Sequence, residues 1–510
     1  MTAAAPEREN VLKEIRTAVR HMAVYGLGNI LVRVLGFLMI PFYTHYFTPE
    51  DVGILEILDL SMSLFALILN MGMTPALLRA YAAAESAEDK RKVISTACLF
   101  AAGTGLLTFL LGLACLHPAT GLLFGSKVPA WYVLLSFSSL VLSYMANPAR
   151  TYLRALDKAA TFSILDTAGT LVLLVLNIVF IAWFKMGIVG VLLSSVLVGG
   201  IQFALLSGWA FYRAGFHFVR HQMRRMLRFG APLVFANLGL FVLNFSDRFF
   251  LQHLRSLEAV GIYALGYKFG YMMNAMVVQP FFVMWQSRMY NVYAQPDHIK
   301  IYQQIFAFYS LGLIYAGLAM SLFSPETVRI MVEPRFAASQ DVIPVVVLSY
   351  IFYGLSYYAQ LGMFLTERTK VIGIIGAASA VLNVVLNYFL IGYFGMMGAA
   401  FATLLSFGFL CGVSYWRSQV ILRIPLGLER MAAALVIAVA LYFGCRRFTQ
   451  PSTVIAVFAK LAILAAYPVV LWKSRILHPS AAATLSLAIG RVTAVGRRLL
   501  GLRVPEAISQ

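Results

Sequence analysis

Apolar residues in this chain are grouped into runs of about 20, separated by short polar segments. A bilayer core about 30 Å thick needs roughly 20 apolar residues in each helix that crosses it. The runs therefore predict an all-α integral membrane protein with about fourteen transmembrane helices. The predicted spans are residues 24–47, 51–78, 93–116, 130–153, 160–184, 187–211, 229–253, 258–287, 302–323, 341–366, 370–393, 396–416, 431–448 and 453–472.

The basic residues between the runs predict an orientation. About 29 of the 40 Lys and Arg fall in segments that are cytoplasmic if the N-terminus is inside, and about 7 fall in the outer loops. Both termini are therefore expected in the cytoplasm. Residues 7–21 have the apolar spacing of an amphipathic surface helix. The C-terminal tail, residues 474–510, is expected either to lie on anionic lipid or to be a disordered basic segment.

Composition excludes several other classes of protein. Hydrophobic residues make up 61% and charged residues 12% of the 510 residues, whereas soluble domains carry about 25% charge. The net charge of +19 is spread over short interhelical segments without a groove-reading motif, so nucleic-acid binding is not expected. The four cysteines lack metal-ligand spacing, so no metal site is expected. Because the loops are short, we also expect no nucleotide-binding domain and no enzymatic activity.

A sequence repeat divides the spans into two halves. Residues 50–54 (EDVGI) return as residues 258–262 (EAVGI), in each case between two apolar runs. Asn177 and Asn387 lie in a second matched pair of segments, each followed by a glycine turn. A repeat of six helices returns the chain to its starting side of the membrane. The halves are therefore expected to form two six-helix lobes related by a pseudo-twofold axis along the membrane normal, with the substrate path between them.

This repeat predicts the domain organisation. Helices thirteen and fourteen lie outside the duplication. The expected parts are an N-terminal cytoplasmic segment (1–22), an N-lobe (23–211), a basic cytoplasmic linker (212–228), a C-lobe (229–418), helices thirteen and fourteen (429–473) and a basic tail (474–510).

Ionisable residues in or at the ends of the spans are candidates for a substrate cavity, because a charge in the bilayer normally faces water or a partner. A surplus of Arg and Lys suits a diphosphate-bearing lipid headgroup, since the guanidinium fork matches phosphate. Structural ion pairs and anchoring of arginines at helix ends are the alternatives. The candidates are Arg33, Glu56, Asp59, Arg154, Asp166, Asp247, Arg248 and Lys268.

Prolines and amides within the spans are further candidates. Pro75 and Pro280 follow the two copies of the repeated corner at similar distances. Because proline permits a kink, both are hinge candidates for alternating access, unless they are ordinary tolerated prolines. The amides could hold sugar hydroxyls, although hydrogen bonding between helices is their usual role in membranes. They are Asn70, Asn177, Asn237, Asn244, Asn274, Gln279, Asn383 and Asn387.

Residues 33–54 (RVLGFLMIPFYTHYFTPEDVGI) resemble the start of bacterial polysaccharide exporters of the Wzx type, as do Asp247-Arg248 and residues 260–263 (VGIY). These exporters belong to the multidrug/oligosaccharidyl-lipid/polysaccharide (MOP) superfamily, and the resemblance covers roughly residues 20–420. It implies two six-helix lobes around a central cavity in the bacterial inner membrane. It also implies movement of undecaprenyl-diphosphate-linked oligosaccharide to the outer leaflet, energised by an ion gradient or the membrane potential.

The function expected from this resemblance is a flippase for O-antigen, capsule or exopolysaccharide repeat units. The resemblance maps Arg33, Asp247, Arg248 and Lys268 to the cavity. It implies no cofactor, H⁺ or Na⁺ as coupling ion, and a polysaccharide polymerase or chain-length machinery as partner. Three other functions stay open: a drug or cation antiporter of the same superfamily, a scaffold of a polysaccharide synthase, and a lipid II flippase. Helices thirteen and fourteen resemble the lipid II flippase branch, whereas its cluster of first-helix arginines is missing.

Overall fold

A computed structural model describes residues 32, 34–125, 127–448 and 454–474. These residues form helices joined by short loops, and no β-strand occurs among them, so the predicted all-α class is confirmed. The predicted N-terminal segment, most of the first span, Arg33 and the tail beyond residue 474 lie outside the described residues.

The α-helices in chain order are α1 (Ile40–Tyr46), α2 (Pro49–Asn70), α3 (Met73–Ala82), α4 (Ala87–Ala114), α5 (Leu116–Phe124), α6 (Ala130–Ala155), α7 (Ala159–Ile178), α8 (Ile188–Gln202), α9 (Gly208–Ala214), α10 (Arg220–Leu254), α11 (Leu257–Met273), α12 (Gln279–Tyr293), α13 (His298–Leu322), α14 (Ser324–Met331), α15 (Ser339–Ala359), α16 (Leu361–Leu365), α17 (Thr369–Phe394), α18 (Met396–Ile421), α19 (Leu428–Phe448) and α20 (Val454–Lys473). Helical π turns occur at Val179–Trp183, Phe203–Ser207 and Asn274–Val278, and a 3-10 turn at Pro334–Phe336.

The predicted count of fourteen membrane spans is not confirmed by the described residues. Among the described residues, eleven helical segments are long and apolar enough to cross a membrane, or twelve if the bent pair Arg220–Pro232 and Asn237–Leu254 is one span. The first predicted span lies mostly outside the described residues. The eighth, residues 258–287, is helical but is not among these segments, because Lys268, Asn274 and several tyrosines lower its mean hydropathy.

The helices pack into two compact units. The first unit contains the described residues up to Phe245 together with Ser256–Gly261. The second contains Ser246–Arg255 and the described residues from Ile262 onward. The predicted lobe boundaries and the axis relating the lobes stay predictions.

The predicted linker, residues 212–228, is partly helical. Helix α10 begins at Arg220, inside this segment. Met223 and Met226 are buried in the core of the first unit, whereas Arg224 and Arg225 are exposed. The segment therefore includes the amphipathic start of helix α10. A count of its basic residues does not reveal the apolar side that packs into the core.

The core of the first unit where α3, α4, α6 and α9 meet consists of small and aliphatic side chains. Leu77, Ile94, Cys98, Ala149 and Ala210 are each at most 2% exposed. Small residues let helix backbones approach closely, which is the main source of helix association in a bilayer.

Matching corners of the repeat have matching backbone conformations. Asp157 and Glu367, each just before the helix that starts the fifth or eleventh predicted span, have φ angles of 54° and 58°. Gly187 and Gly395, at the next corner, have φ and ψ of 57° and −135° and of 59° and −131°. A left-handed conformation costs an L-residue about 1–2 kcal/mol. Asp157 and Glu367, which are not glycines, therefore carry the same backbone strain in both copies of the repeat.

The two copies of the first repeated corner are both capped by a hydroxyl group. The Thr48 side chain accepts a hydrogen bond from the Asp51 backbone N–H, and the Asp51 carboxylate accepts one from the Thr48 backbone N–H. Ser256 Oγ accepts from the Ala259 backbone N–H at 3.1 Å. These caps satisfy N–H groups that a helix start leaves without partners, and so fix where α2 and α11 begin.

Within the first unit, the starts of α2 and α11 lie directly against each other at two glycines. A Cβ atom on Gly53 would collide with the carbonyl of Leu257 and lie 3.3 Å from the Gly261 nitrogen. A Cβ atom on Gly261 would collide with the carbonyl of Pro49 and lie 2.9 Å from the Gly53 nitrogen. The repeated glycine is thus required in both copies by close backbone approach.

Candidate functional site

A cavity of about 190 Å³ lies in the first unit between α6, α7 and α8, and we call it the N-unit cavity. Its polar and charged lining residues are Arg150, Asp166 and Gln202. A few polar groups set against an apolar wall is the composition of a site for an amphiphilic ligand. The rest of the wall is formed by Leu153, Phe162, Leu165, Ala168, Gly169, Val172, Val198, Ile201, Leu205 and Leu206.

Arg150 is held in position by side chains from the other two helices. Its Nη2 donates a hydrogen bond to Gln202 Oε1. The Gln202 amide packs over Gly169, where an added Cβ would collide with Gln202 Nε2. Asp166 and Arg154 both interact electrostatically with Arg150. The side-chain amide therefore orients the guanidinium, which interacts with both the carboxylate of Asp166 and the second arginine, Arg154.

Arg154 lies one helical turn after Arg150 and is exposed. Its guanidinium lies 4.3 Å from the ring centroid of Phe162, which lines the N-unit cavity. A cation over an aromatic face is held by the ring quadrupole, at about 0.5–1 kcal/mol when exposed. The structure therefore brings together two predicted residues, Arg154 and Asp166, and leaves this cluster with one net positive charge.

The two acids of α2 differ in their surroundings. Glu56 is buried, with 8% of its surface exposed, whereas Asp59 is exposed. They lie three residues apart in one helix, so the sequence suggests a shared face. The burial pattern places the two carboxylates in different environments.

Asp247 and Arg248 form an ion pair buried in the second unit. Both side chains are 2% exposed, and Arg248 Nη1 lies 2.6 Å from Asp247 Oδ1. Tyr263 donates a hydrogen bond to the other carboxylate oxygen. The guanidinium lies 3.8 Å from the ring centroid of Tyr267, whose hydroxyl is 2.6 Å from that of Tyr350. The pair is thus enclosed by aromatic side chains from two other helices.

This enclosure matches the structural ion pair that the sequence leaves open as an alternative to a cavity role. Arg248 is neutralised by its neighbour Asp247 and stacked on an aromatic ring, so its charge is compensated within the protein. Lys268, the residue after Tyr267, is exposed on α11.

A change of backbone geometry lies beside each hinge candidate. Helix α2 ends at Asn70, and Met71 and Gly72 have φ angles of 45° and 64° before α3 begins two residues ahead of Pro75. The π turn Asn274–Val278 separates α11 from α12, where Pro280 is the second residue. Proline near a helix start needs no backbone donor. The span with Pro75 is therefore interrupted by two residues of positive φ, and the span with Pro280 by a π turn.

Several candidate amides make hydrogen bonds between helices. Asn177 Nδ2 donates to the Tyr43 hydroxyl at 2.8 Å in the first unit. In the second unit Asn387 Nδ2 donates to Ser246 Oγ at 3.3 Å, and Ser246 donates to Asn383 at 3.0 Å. The repeated asparagine thus joins the same pair of predicted helices in both copies, the fifth to the first and the eleventh to the seventh.

Sequence reasoning missed the partners of these charges. Gln202 is an isolated amide in an apolar run, and no local pattern assigns it to Arg150. Lys460 Nζ makes contacts of 2.6 and 2.8 Å with the carboxylate of Glu326 in α14. Lys460 is buried. Its position in an apolar run indicates that it has a partner, but the sequence does not identify which acid. Among the described residues, no group of His, Cys, Asp and Glu could hold a metal ion.

Comparison with known sequences matches a family described as polysaccharide biosynthesis protein to residues 18–284, slightly more than half of the chain. A membrane protein of Haemophilus influenzae, whose name gives no function, is 20% identical over 271 residues. That match covers 51% of this chain and 62% of the relative.

Comparison with solved structures finds similar folds in transporters. The lipid II flippase MurJ in an inward closed conformation has a TM-score of 0.71, with 12% identity, covering 89% of this chain and all of that chain. An inward-facing MATE multidrug transporter of the MOP superfamily has a TM-score of 0.61, with 14% identity, covering 79% and 95%. At these identities the similarity establishes the fold.

Proposed function

The chain belongs to the polysaccharide biosynthesis protein family, and from this we propose that it is a flippase for undecaprenyl-diphosphate-linked oligosaccharide. It would move repeat units of O-antigen, capsule or exopolysaccharide from the inner to the outer leaflet. The fold shared with MurJ and a MATE transporter supports alternating access as the mechanism. In this proposal the protein lies in the bacterial cytoplasmic membrane with both termini inside, in accord with the charge bias. It is not an enzyme, and a polymerase or chain-length protein receives its product.

The observation that carries this proposal is the N-unit cavity, where Arg150 and Asp166 lie beside an apolar wall and Arg154 lies over Phe162, one of the lining residues. A polyprenyl diphosphate has the two matching parts, an anionic head and an apolar chain. Guanidinium groups can replace the hydration of phosphate with paired, charge-assisted hydrogen bonds. Apolar side chains can cover part of the prenyl chain. A cation exporter would require the opposite balance of charge.

The remaining candidates have supporting roles in this proposal. A gradient of H⁺ or Na⁺, or the membrane potential, supplies the energy. Pro75 and Pro280 mark the two interrupted spans as bending points, since each adjoins a change of helix geometry.

The test is the leaflet distribution of lipid-linked glycan in cells depleted of the protein. Depletion is expected to accumulate the glycan in the cytoplasmic leaflet, and the parent protein is expected to reverse this. Arg150→Gln and Arg154→Gln are expected not to reverse it, at normal membrane levels. Arg417→Gln is the matched control, because Arg417 is also exposed near the end of a span and lies 5.4 Å from the ring centroid of Trp416.

Other outcomes would contradict the proposal at identifiable steps. If depletion leaves the glycan distribution unchanged and alters sensitivity to cationic dyes, the protein is an antiporter. If lipid II accumulates instead, the substrate class is wrong. If depletion causes accumulation but both variants reverse it fully, the N-unit cavity is not the headgroup site.

A further inference from the structure

A second cavity lies in the first unit, at the ends of the spans that contain α3 and α4 and at the start of α10. Its volume is about 720 Å³, nearly four times that of the N-unit cavity. We call it the α3–α10 cavity. Its position at helix ends, beside the loop that joins α3 to α4, places it at the level of lipid headgroups if these spans cross a bilayer.

Three arginines line this cavity: Arg79 of α3 and Arg225 and Arg228 of α10. The Arg79 guanidinium lies 4.5 Å from the ring centroid of Phe229, which leaves its N–H edges available for a ligand. Within the described part of the chain, no carboxylate is paired with Arg225 or Arg228. Guanidinium groups from two helices converging on one space form a binding site for a phosphate group.

Acceptor groups line the same cavity. Glu85 lies in the loop between α3 and α4, and Asp89 lies in the first turn of α4. Asp89 accepts a hydrogen bond from the Ser86 hydroxyl at 2.7 Å, so part of its capacity is used in capping the helix. Gln222 Oε1 is buried and has no hydrogen-bond partner among the described residues. These oxygens would repel a second phosphate, but they suit a group with N–H donors.

One side of the cavity is fixed by hydrogen bonds between α4 and the segment leading into α10. Ser95 Oγ donates to the Gly215 carbonyl at 2.8 Å and accepts from the His217 N–H at 2.7 Å. Thr96 Oγ1 donates to the His217 carbonyl at 3.2 Å and accepts from the Val219 N–H at 3.0 Å. These four bonds hold the start of α10, and therefore its arginines, against α4.

The segment held by these bonds and the helix α9 just before it carry exposed aromatic side chains. Tyr212 is 89% exposed, Phe216 73% and Phe218 54%. Aromatic residues exposed at the end of a span are typical of the membrane–water interface. They favour a membrane lipid over a soluble phosphate ester as the source of the ligand.

We propose that the α3–α10 cavity binds the headgroup of an amine-bearing phospholipid of the phosphoethanolamine type. The arginines hold the phosphate, while Glu85 and the Gln222 carbonyl oxygen accept hydrogen bonds from the ammonium group. This site is separate from the N-unit cavity and binds a lipid of the surrounding membrane. It stabilises the packing of α10 on α3 and α4 without taking part in glycan recognition.

The proposal is tested by native mass spectrometry of the full-length protein in detergent, titrated with dioleoyl phosphatidylethanolamine, phosphatidylcholine or phosphatidylglycerol. Phosphatidylethanolamine is expected to bind about tenfold more tightly than the other two, because it alone combines phosphate with N–H donors from an amine. The double variant Arg225→Gln/Arg228→Gln is expected to weaken its binding at least about tenfold. Glu85→Gln is expected to remove the preference over phosphatidylcholine.

Each variant has a matched control at a residue close to it in the sequence. Arg224→Gln changes an exposed arginine of α10 that does not line the cavity, and Glu88→Gln changes an acid of α4 that is paired with Lys92. Both are expected to bind like the parent. Glycerophosphoethanolamine, which has the headgroup but no acyl chains, is expected not to compete at equal concentration.

Three results would overturn the proposal. The first is equal or tighter binding of phosphatidylglycerol, and the second is an unchanged preference in Glu85→Gln. The third is equal competition by glycerophosphoethanolamine, which would make the ligand a soluble phosphate ester. Because the readout is lipid binding, its outcome does not depend on whether the protein transports a glycan.

Discussion

Replacing Arg248 by methionine tests whether the buried ion pair stabilises the second unit. Methionine has a similar length but no charge, so the carboxylate of Asp247 stays buried with a hydrogen bond from Tyr263 and no opposite charge. Removing one partner of a buried pair costs about 3–5 kcal/mol. The lost stacking on aromatic rings adds about 1 kcal/mol. We therefore expect a large loss of stability from one substitution.

The double variant Asp247→Asn/Arg248→Met separates the charge from the shape. Asparagine can still accept the hydrogen bond from Tyr263, and no charge is left buried. Replacing a whole buried pair by neutral groups is often close to neutral in free energy. The double variant is therefore expected to recover most of the stability that the single variant loses.

The measurement is the apparent melting temperature of the purified full-length protein in detergent. Arg248→Met is expected to lower it on the order of 10 °C. Arg446→Met is the control, because its pair with Asp341 has the same kind of contact, 2.7 Å, at 57% and 44% exposure. An exposed pair contributes at most about 1 kcal/mol. If Arg248→Met melts like the parent but fails to transport, the pair is not structural and Arg248 contacts the substrate.

Three further predictions concern other contacts. Gly169→Ala is expected to displace the flexible end of Gln202. It should slow glycan transfer in proteoliposomes about tenfold without changing the melting temperature. Unchanged transfer would contradict the role of the Gln202 amide. Gly261→Ala is expected to cost about 1–3 kcal/mol or more in thermal unfolding, whereas Gly376→Ala, with no atom within 4 Å of the new Cβ, should not destabilise. Lys460→Met is expected to cost about 3 kcal/mol in the same assay, and an unchanged melting temperature would mean that its carboxylate partner is solvated.

The features predicted best from the sequence are those set by neighbouring residues. A helix start depends on a cap three residues away, and a corner depends on one residue with an unusual φ angle. Residues 50–54 and 258–262 therefore identify two equivalent helix starts correctly. The count of fourteen spans is not confirmed, since most of the first predicted span lies outside the described residues and the eighth is helical but less apolar than the other spans.

The pairing of charges could not be predicted in the same way. Arg150 and Gln202 are 52 residues apart, and Lys460 and Glu326 are 134 apart. Sequence patterns show only which charged side chains need a partner or water, because an uncompensated charge in a membrane is unfavourable in free energy. Which partner each one meets depends on the helix packing, as the contacts of Arg248 with Asp247 and the ring of Tyr267 show. The cavity role of Arg248 stays a prediction.

The contact between Gly53 and Gly261 has a consequence for how the two copies of the repeated corner can diverge. After a duplication, equivalent positions usually drift apart, because each copy has different neighbours. Here each copy is the other's neighbour, and a side chain on either glycine would meet the backbone of the other helix start. No second substitution can relieve that collision, since backbone cannot be made smaller. The two positions are therefore constrained to the same residue for as long as this contact is kept.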